Sequence, residues 1–90
     1  MAYIYRVHAI ERMFQRDIDE YQVETVIEEG EIIESYEEDK PYPSFLVLGR
    51  VEGIALHVVY AYDEQGDAIV ITAYKPSPLK WENDLKTRKD

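Results

Sequence analysis

From Val7 to Arg16 the apolar residues Val7, Ile10, Met13 and Phe14 recur at spacings of three and four, and that period predicts an amphipathic helix over 7–16. His8, Arg12 and Arg16 fall at i, i+4 and i+8, so they form one polar stripe away from the apolar side. Asp19 reads as an N-cap, with Gln22 three residues on completing a capping box and Ile18 placed to staple onto Val23; a second helix over 19–29 follows. Its inward side is Val23, Val26 and Ile27, and Gly30 is expected to end it as a left-handed residue.

From Glu31 the period drops to two. Glu31 to Tyr36, Ser44 to Val51, Ala55 to Tyr62 and Ala68 to Lys75 are β-branched and aromatic runs. A proline-marked loop and the turns Glu52-Gly53 and Glu64-Gln65-Gly66 join them, which predicts a four-stranded antiparallel meander over 31–75. Alternation sorts the runs into an aliphatic face (Leu46, Leu48, His57, Val59, Ala61, Ile69, Ile71, Ala73) and an aromatic one (Phe45, Val47, Leu56, Val58, Tyr60, Tyr62, Val70, Thr72, Tyr74). The aliphatic face is expected under the helices. After Lys75, Ser77 as N-cap and Pro78 at the first helical position predict a short C-terminal helix over 78–86, with Trp81 and Leu85 covering part of the aromatic face. The expectation is one α+β domain, residues 1–90, with both long helices on one face of the sheet.

Ninety residues hold one core, and no run of eighteen apolar residues or basic–apolar–small leader pattern appears, so the expected setting is cytoplasmic with no membrane partner. The absence of cysteine removes disulfide scaffolds, thiolate metal sites and thiol nucleophiles. Two histidines without H-x-x-x-H or H-E-x-x-H spacing and no glycine-rich phosphate loop leave neither a metal nor a nucleotide cofactor expected. The formal charge of −9 is concentrated: Asp17 to Asp39 carries eleven acids and no base, leaving ten bases against eight acids elsewhere. A locally basic surface able to meet phosphate is therefore compatible with an acidic chain.

Metal-free cleavage of RNA needs a group to take the 2′-hydroxyl proton, a group to protonate the leaving oxygen, and cations for the phosphorane. His8 as acid/base with Arg12 and Arg16 as phosphate clamp fit those roles, and Tyr60 or Tyr74, near Thr72 with Arg50 or Lys75 at the edge, are candidate proton carriers. The same residues have plain structural uses. His8 can open the first helix, Arg12 and Arg16 can pair with Glu11, Glu29 or Glu31, His57 can be a neutral core histidine, and the tyrosines can bury a ring while wetting a hydroxyl. Lys75, Lys80, Lys86, Arg88 and Lys89 around Trp81 form a second basic patch for RNA or an acidic partner.

The stretch His8-Ala9-Ile10-Glu11-Arg12-Met13, the ending Glu29-Gly30-Glu31-Ile32-Ile33, the Tyr42-Pro43 loop, Leu46-Val47-Leu48-Gly49, Leu56-His57-Val58-Val59 and the closing Tyr74-Lys75-Pro76-Ser77-Pro78-Leu79-Lys80-Trp81-Glu82 resemble the prokaryotic domain-of-unknown-function family 4258. That family is similar to the RelE/ParE/BrnT toxin superfamily, whose members carry two helices on a small antiparallel sheet and act as ribonucleases or gyrase poisons. The resemblance implies a toxin-like component of a toxin–antitoxin pair acting on RNA, a metal-independent ribonuclease, or a non-catalytic protein-binding domain of the same fold. The implied partners are a small antitoxin-like protein or a second copy of the chain, with RNA or the ribosome as target. RelE-like ribonucleases place several basic residues on the sheet, and the strands here hold almost none, which argues against a vigorous ribosome-dependent nuclease.

Overall fold

A computed structural model describes all 90 residues. In chain order the elements are β1 (Tyr3–Tyr5), α1 (Val7–Gln15), α2 (Glu20–Glu29), β2 (Glu31–Tyr36), β3 (Ser44–Val51), β4 (Ile54–Tyr62) and β5 (Ala68–Tyr74). The fold is α+β, but its sheet is five-stranded and mixed, in the order β1-β5-β4-β3-β2 with β1 parallel to β5, in place of a four-stranded antiparallel meander. Tyr3-Ile4-Tyr5 is too short for a period to show; it is added because β5 would otherwise end the sheet with unpaired backbone groups. The tyrosines also tie the new edge to α2, with the Tyr3 hydroxyl donating to Glu28 at 2.5 Å and that of Tyr5 to Glu24 at 2.7 Å.

The capping box forms as the sequence requires: Asp19 accepts from the Gln22 backbone at 2.8 Å and the Gln22 side chain accepts from the Asp19 backbone at 2.9 Å. Gly30 ends α2 in extended backbone, φ −81° and ψ −177°, so the expected left-handed cap is absent. Glycine is needed there for room, because a Cβ would lie 2.5 Å from the Val26 carbonyl oxygen and 2.6 Å from that of Leu48.

The helices cover the face of Val47, Leu56, Val58, Tyr60 and Val70, the reverse of the expected assignment. Period-two alternation fixes which residues share a face but is symmetric about which face the helices take. Helix α1 is also turned: Ala9 and Met13 are buried, whereas Val7, Ile10 and Phe14 are 69%, 53% and 87% exposed. The stripe read as inward therefore mostly faces away from the core.

Two irregularities complete the register. Pairing shifts by one residue between Ile32 and Glu34 on β2, and Ile71 is left without an opposite partner as Val59 meets Thr72 and Tyr60 meets Val70. A bulge turns every later side chain on its strand to the other face. Ala73 thus goes beneath the helices, fully buried, while Tyr74 comes opposite His57 on the other side.

The expected helix over 78–86 does not form. Ser77 carbonyl oxygen accepts from Lys80 and Trp81, giving a single turn, and the chain then folds back so that Trp81 bridges Arg88. Asp84 is the physical reason: its carboxylate accepts the backbone N–H groups of Lys86 and Thr87 at 2.9 and 3.0 Å and the Thr87 hydroxyl at 2.9 Å, a local alternative to helical pairing. The resulting strap, residues 77–90, crosses the sheet face that the helices leave open and pins Trp81 there, 2% exposed. No helix is long and apolar enough to cross a membrane.

Candidate functional site

A groove of about 630 Å³ opens where three parts of the chain meet: the end of α1, the end of β5 and the strap. It is lined by Arg16, Tyr74, Lys75, Ser77, Lys80, Trp81 and Arg88, four cations and no acid. Strand β1 pairs with β5 only as far as Val70, so the β5 edge beyond it has no strand neighbour. Arg16, just past α1, uses that vacancy: its Nη1 donates to the Ala73 carbonyl at 2.8 Å, which holds the guanidinium beside Tyr74.

The cations are not equivalent. Arg88 is spent on structure, donating from Nε and Nη2 to the Glu34 carboxylate at 3.1 and 3.2 Å and lying 4.6 Å from the centre of the Trp81 ring. That pairing raises the Arg88 pKa and lowers that of Glu34, whose carboxylate also accepts the Tyr36 hydroxyl. Lys86 outside the groove pairs with Glu31 at 2.8 Å, and these are the two ion pairs of the molecule. Arg16, Lys75 and Lys80 keep uncompensated charge in a shared concavity, where like charges persist only because solvent or an anion can reach them.

Beneath the groove lies His57, fully buried, its ring edge-on to Trp81 with centroids 4.5 Å apart. Its Nε2 lies 2.7 Å from the Leu85 carbonyl oxygen, which can only accept, so Nε2 carries the proton. Nδ1 is then the acceptor for the Tyr74 hydroxyl at 3.2 Å. Burial lowers the His57 pKa and keeps the ring neutral, and burial likewise raises that of Tyr74. Tyr74 is thus a neutral phenol with its proton committed inward and its ring at the groove wall.

Of the residues expected to act, Arg16 and Tyr74 reach this site. Arg12 and His8 are exposed on α1, at about 6 and 12 Å along the helix from Arg16, outside the groove lining. Tyr60 is 3% exposed beneath the helices, on the opposite sheet face, where burial pushes its hydroxyl up to about 12. Tyr60 and Tyr74, expected on one aromatic face, lie on opposite faces because the bulge at Ile71 separates them. The sequence marks Ser77 as a cap and Lys75, Lys80 and Arg88 around Trp81 as a separate basic patch, and their spacing carries no sign that the strap folds back onto β5. His57, expected under the helices, sits under the strap, against Trp81 and the Leu85 carbonyl.

The profile of the domain of unknown function DUF4258 matches residues 5–75, and the chain belongs to that family. The match ends at Lys75, so Arg16 and Tyr74 lie within it while Ser77, Lys80, Trp81 and Arg88 come from the strap beyond. No curated protein and no solved structure matches the chain.

Proposed function

We propose that the domain binds single-stranded RNA by its sugar–phosphate backbone, as the RNA-directed, toxin-like component of a toxin–antitoxin-type pair. The observation that carries this reading is the gathering of Arg16, Lys75 and Lys80, none of them ion-paired, in one groove of a chain whose net charge is −9. Guanidinium and ammonium groups gathered in one groove suit successive phosphates, and the Ser77 hydroxyl and Tyr74 ring supply contacts for ribose or base. Counterion release on phosphate binding favours such a cluster whatever the overall charge of the molecule.

Tyr74 is the expected proton carrier that reaches the groove, and the metal-independent ribonuclease reading rests on it. The non-catalytic reading of the same groove is favoured by one observation: His57, the imidazole bonded to Tyr74, is buried and held neutral, which makes it a poor sink for a proton passed inward from substrate. A fluorescent single-stranded RNA incubated with the protein tests both. The binding reading expects a complex with native protein that Lys75→Glu with Lys80→Glu abolishes; cleavage lost in Tyr74→Phe with binding retained adds the ribonuclease. Absence of any complex at low salt overturns the proposal.

A further inference from the structure

Helix α1 has three sides, and the apolar one is not the side it buries. At about 100° per residue, Ala9, Met13 and Arg16 point to the sheet, while Val7, Ile10 and Phe14 centre roughly 120° away around the helix. Those three share a face by their i, i+3, i+7 spacing, and their exposures of 69%, 53% and 87% form a continuous ridge where scattered single residues would be ordinary. Beside the ridge lies a second concavity of about 240 Å³, lined by Tyr5, Ile10, Met13, Phe14, Ile18, Asp19 and Glu20. Its walls are apolar and its charged rim is entirely acidic.

We propose that this groove docks a cationic amphipathic segment of another polypeptide, a short helix with apolar anchors at three- and four-residue spacing flanked by lysine or arginine. The rim selects the charge: Asp19 and Glu20 line the groove, Glu24 stands one turn along α2 bonded to Tyr5, and no lysine or arginine lines it. Arg12 and Arg16 leave α1 on the far side, and Arg16 is engaged at Ala73. A second copy docking about a two-fold axis would set one acidic rim against the other, and RNA is repelled by the same charges. A volume of this size admits one or two side chains, which suits the anchors of a helix laid in a groove.

The surface is separate from the cationic groove, so its test stands apart from RNA binding. A random peptide display library is panned against the native protein, with Phe14→Ala and Glu20→Lys proteins of native circular dichroism as comparison targets. Enriched peptides are expected to carry paired apolar residues at helical spacing and net positive charge, and to bind each variant at least tenfold more weakly. Failure to enrich any peptide, enrichment of neutral or acidic ones, or equal binding to Phe14→Ala overturns the proposal. Concentration-dependent dimerisation in sedimentation, abolished by Phe14→Ala, overturns it too by giving the ridge to a second copy.

Discussion

Tyr74 stands opposite His57 across the β4–β5 ladder, and its hydroxyl donates to His57 Nδ1 at 3.2 Å, because the unpaired Ile71 has turned the end of β5 over. Without that one residue Tyr74 would point at the helices and Ala73 at the strap. Tyr74→Phe leaves a buried imidazole nitrogen with no donor, and a loss of about 1–2 kcal/mol is expected in urea unfolding. The Tyr74→Phe ring still fills the site, so the fold should persist with unchanged circular dichroism.

His57 gives the molecule a specific pH response. The unfolded chain binds a proton there near pH 6.5, and the folded chain only at lower pH, because burial penalises the charged ring. Stability from this group is therefore complete above about pH 6.5 and falls as the pH drops below it, by at most about 1.4 kcal/mol per unit. Glu34 and Asp84, whose pKa values are lowered, lose their contributions only in the more acidic carboxylate range. Urea unfolding between pH 7.5 and 5 should show the decline in the native chain, and a flat line over that span in a His57→Leu variant that folds.

Trp81 clamps the strap over that histidine. Trp81→Ala should cost about 3–5 kcal/mol, as loss of a well-packed aromatic does. Its second signature distinguishes it from a general core defect: with the strap loosened, His57 regains solvent and its pKa, followed by NMR of the ring protons, should rise toward the ordinary value.

Arg16 and His8 share a polar stripe in the sequence but not a fate in the structure. Arg16 is half-buried and bonded to Ala73, so Arg16→Ala should cost about 1 kcal/mol, whereas exposed His8→Ala should cost about 0.5 kcal/mol or less. Equal melting temperatures for the two variants would count against the Arg16 geometry.

Two glycines separate crowding from backbone strain. Gly30→Ala forces a Cβ against two carbonyl oxygens and should cost about 1–3 kcal/mol, a figure typical of overpacking. Gly53 has open space but φ +82°, and Gly53→Ala should cost about 1–2 kcal/mol from the left-handed backbone alone. Replacing Gly53 by Asn, which tolerates that region, should recover part of the loss, whereas no side chain rescues position 30.

The order of helices and long strands was legible because each carries a strong local signal: Asp19 and Gln22 for α2, the Glu52-Gly53 turn for the β3–β4 hairpin. What escaped depends on one-residue or long-range events. A bulge at Ile71 leaves no trace in alternation over so short a strand, yet it decides whether Tyr74 lies on the sheet face of Tyr60 or on that of His57. Ser77 and Pro78 predict a helix over 78–86, but only a single turn forms, because Asp84 captures the backbone that would have continued it. The three-residue β1 is stabilised by β5, whose paired residues lie 65 positions further along the chain, and no local pattern announces such pairing. The sequence marks Arg16 and Tyr74 as candidates for one site and Lys75, Lys80 and Arg88 around Trp81 as a separate basic patch; only the folding back of the strap joins them in one groove.

The salt dependence of RNA binding tests the central claim most directly. Fluorescence anisotropy of a labelled single-stranded RNA should give a Kd that weakens with salt at a log–log slope of about 2, the release expected when Arg16, Lys75 and Lys80 each meet a phosphate. Lys75→Glu with Lys80→Glu should remove the binding while leaving the melting temperature close to native. No binding at low ionic strength, or binding with the same affinity and slope in that variant, would contradict the account.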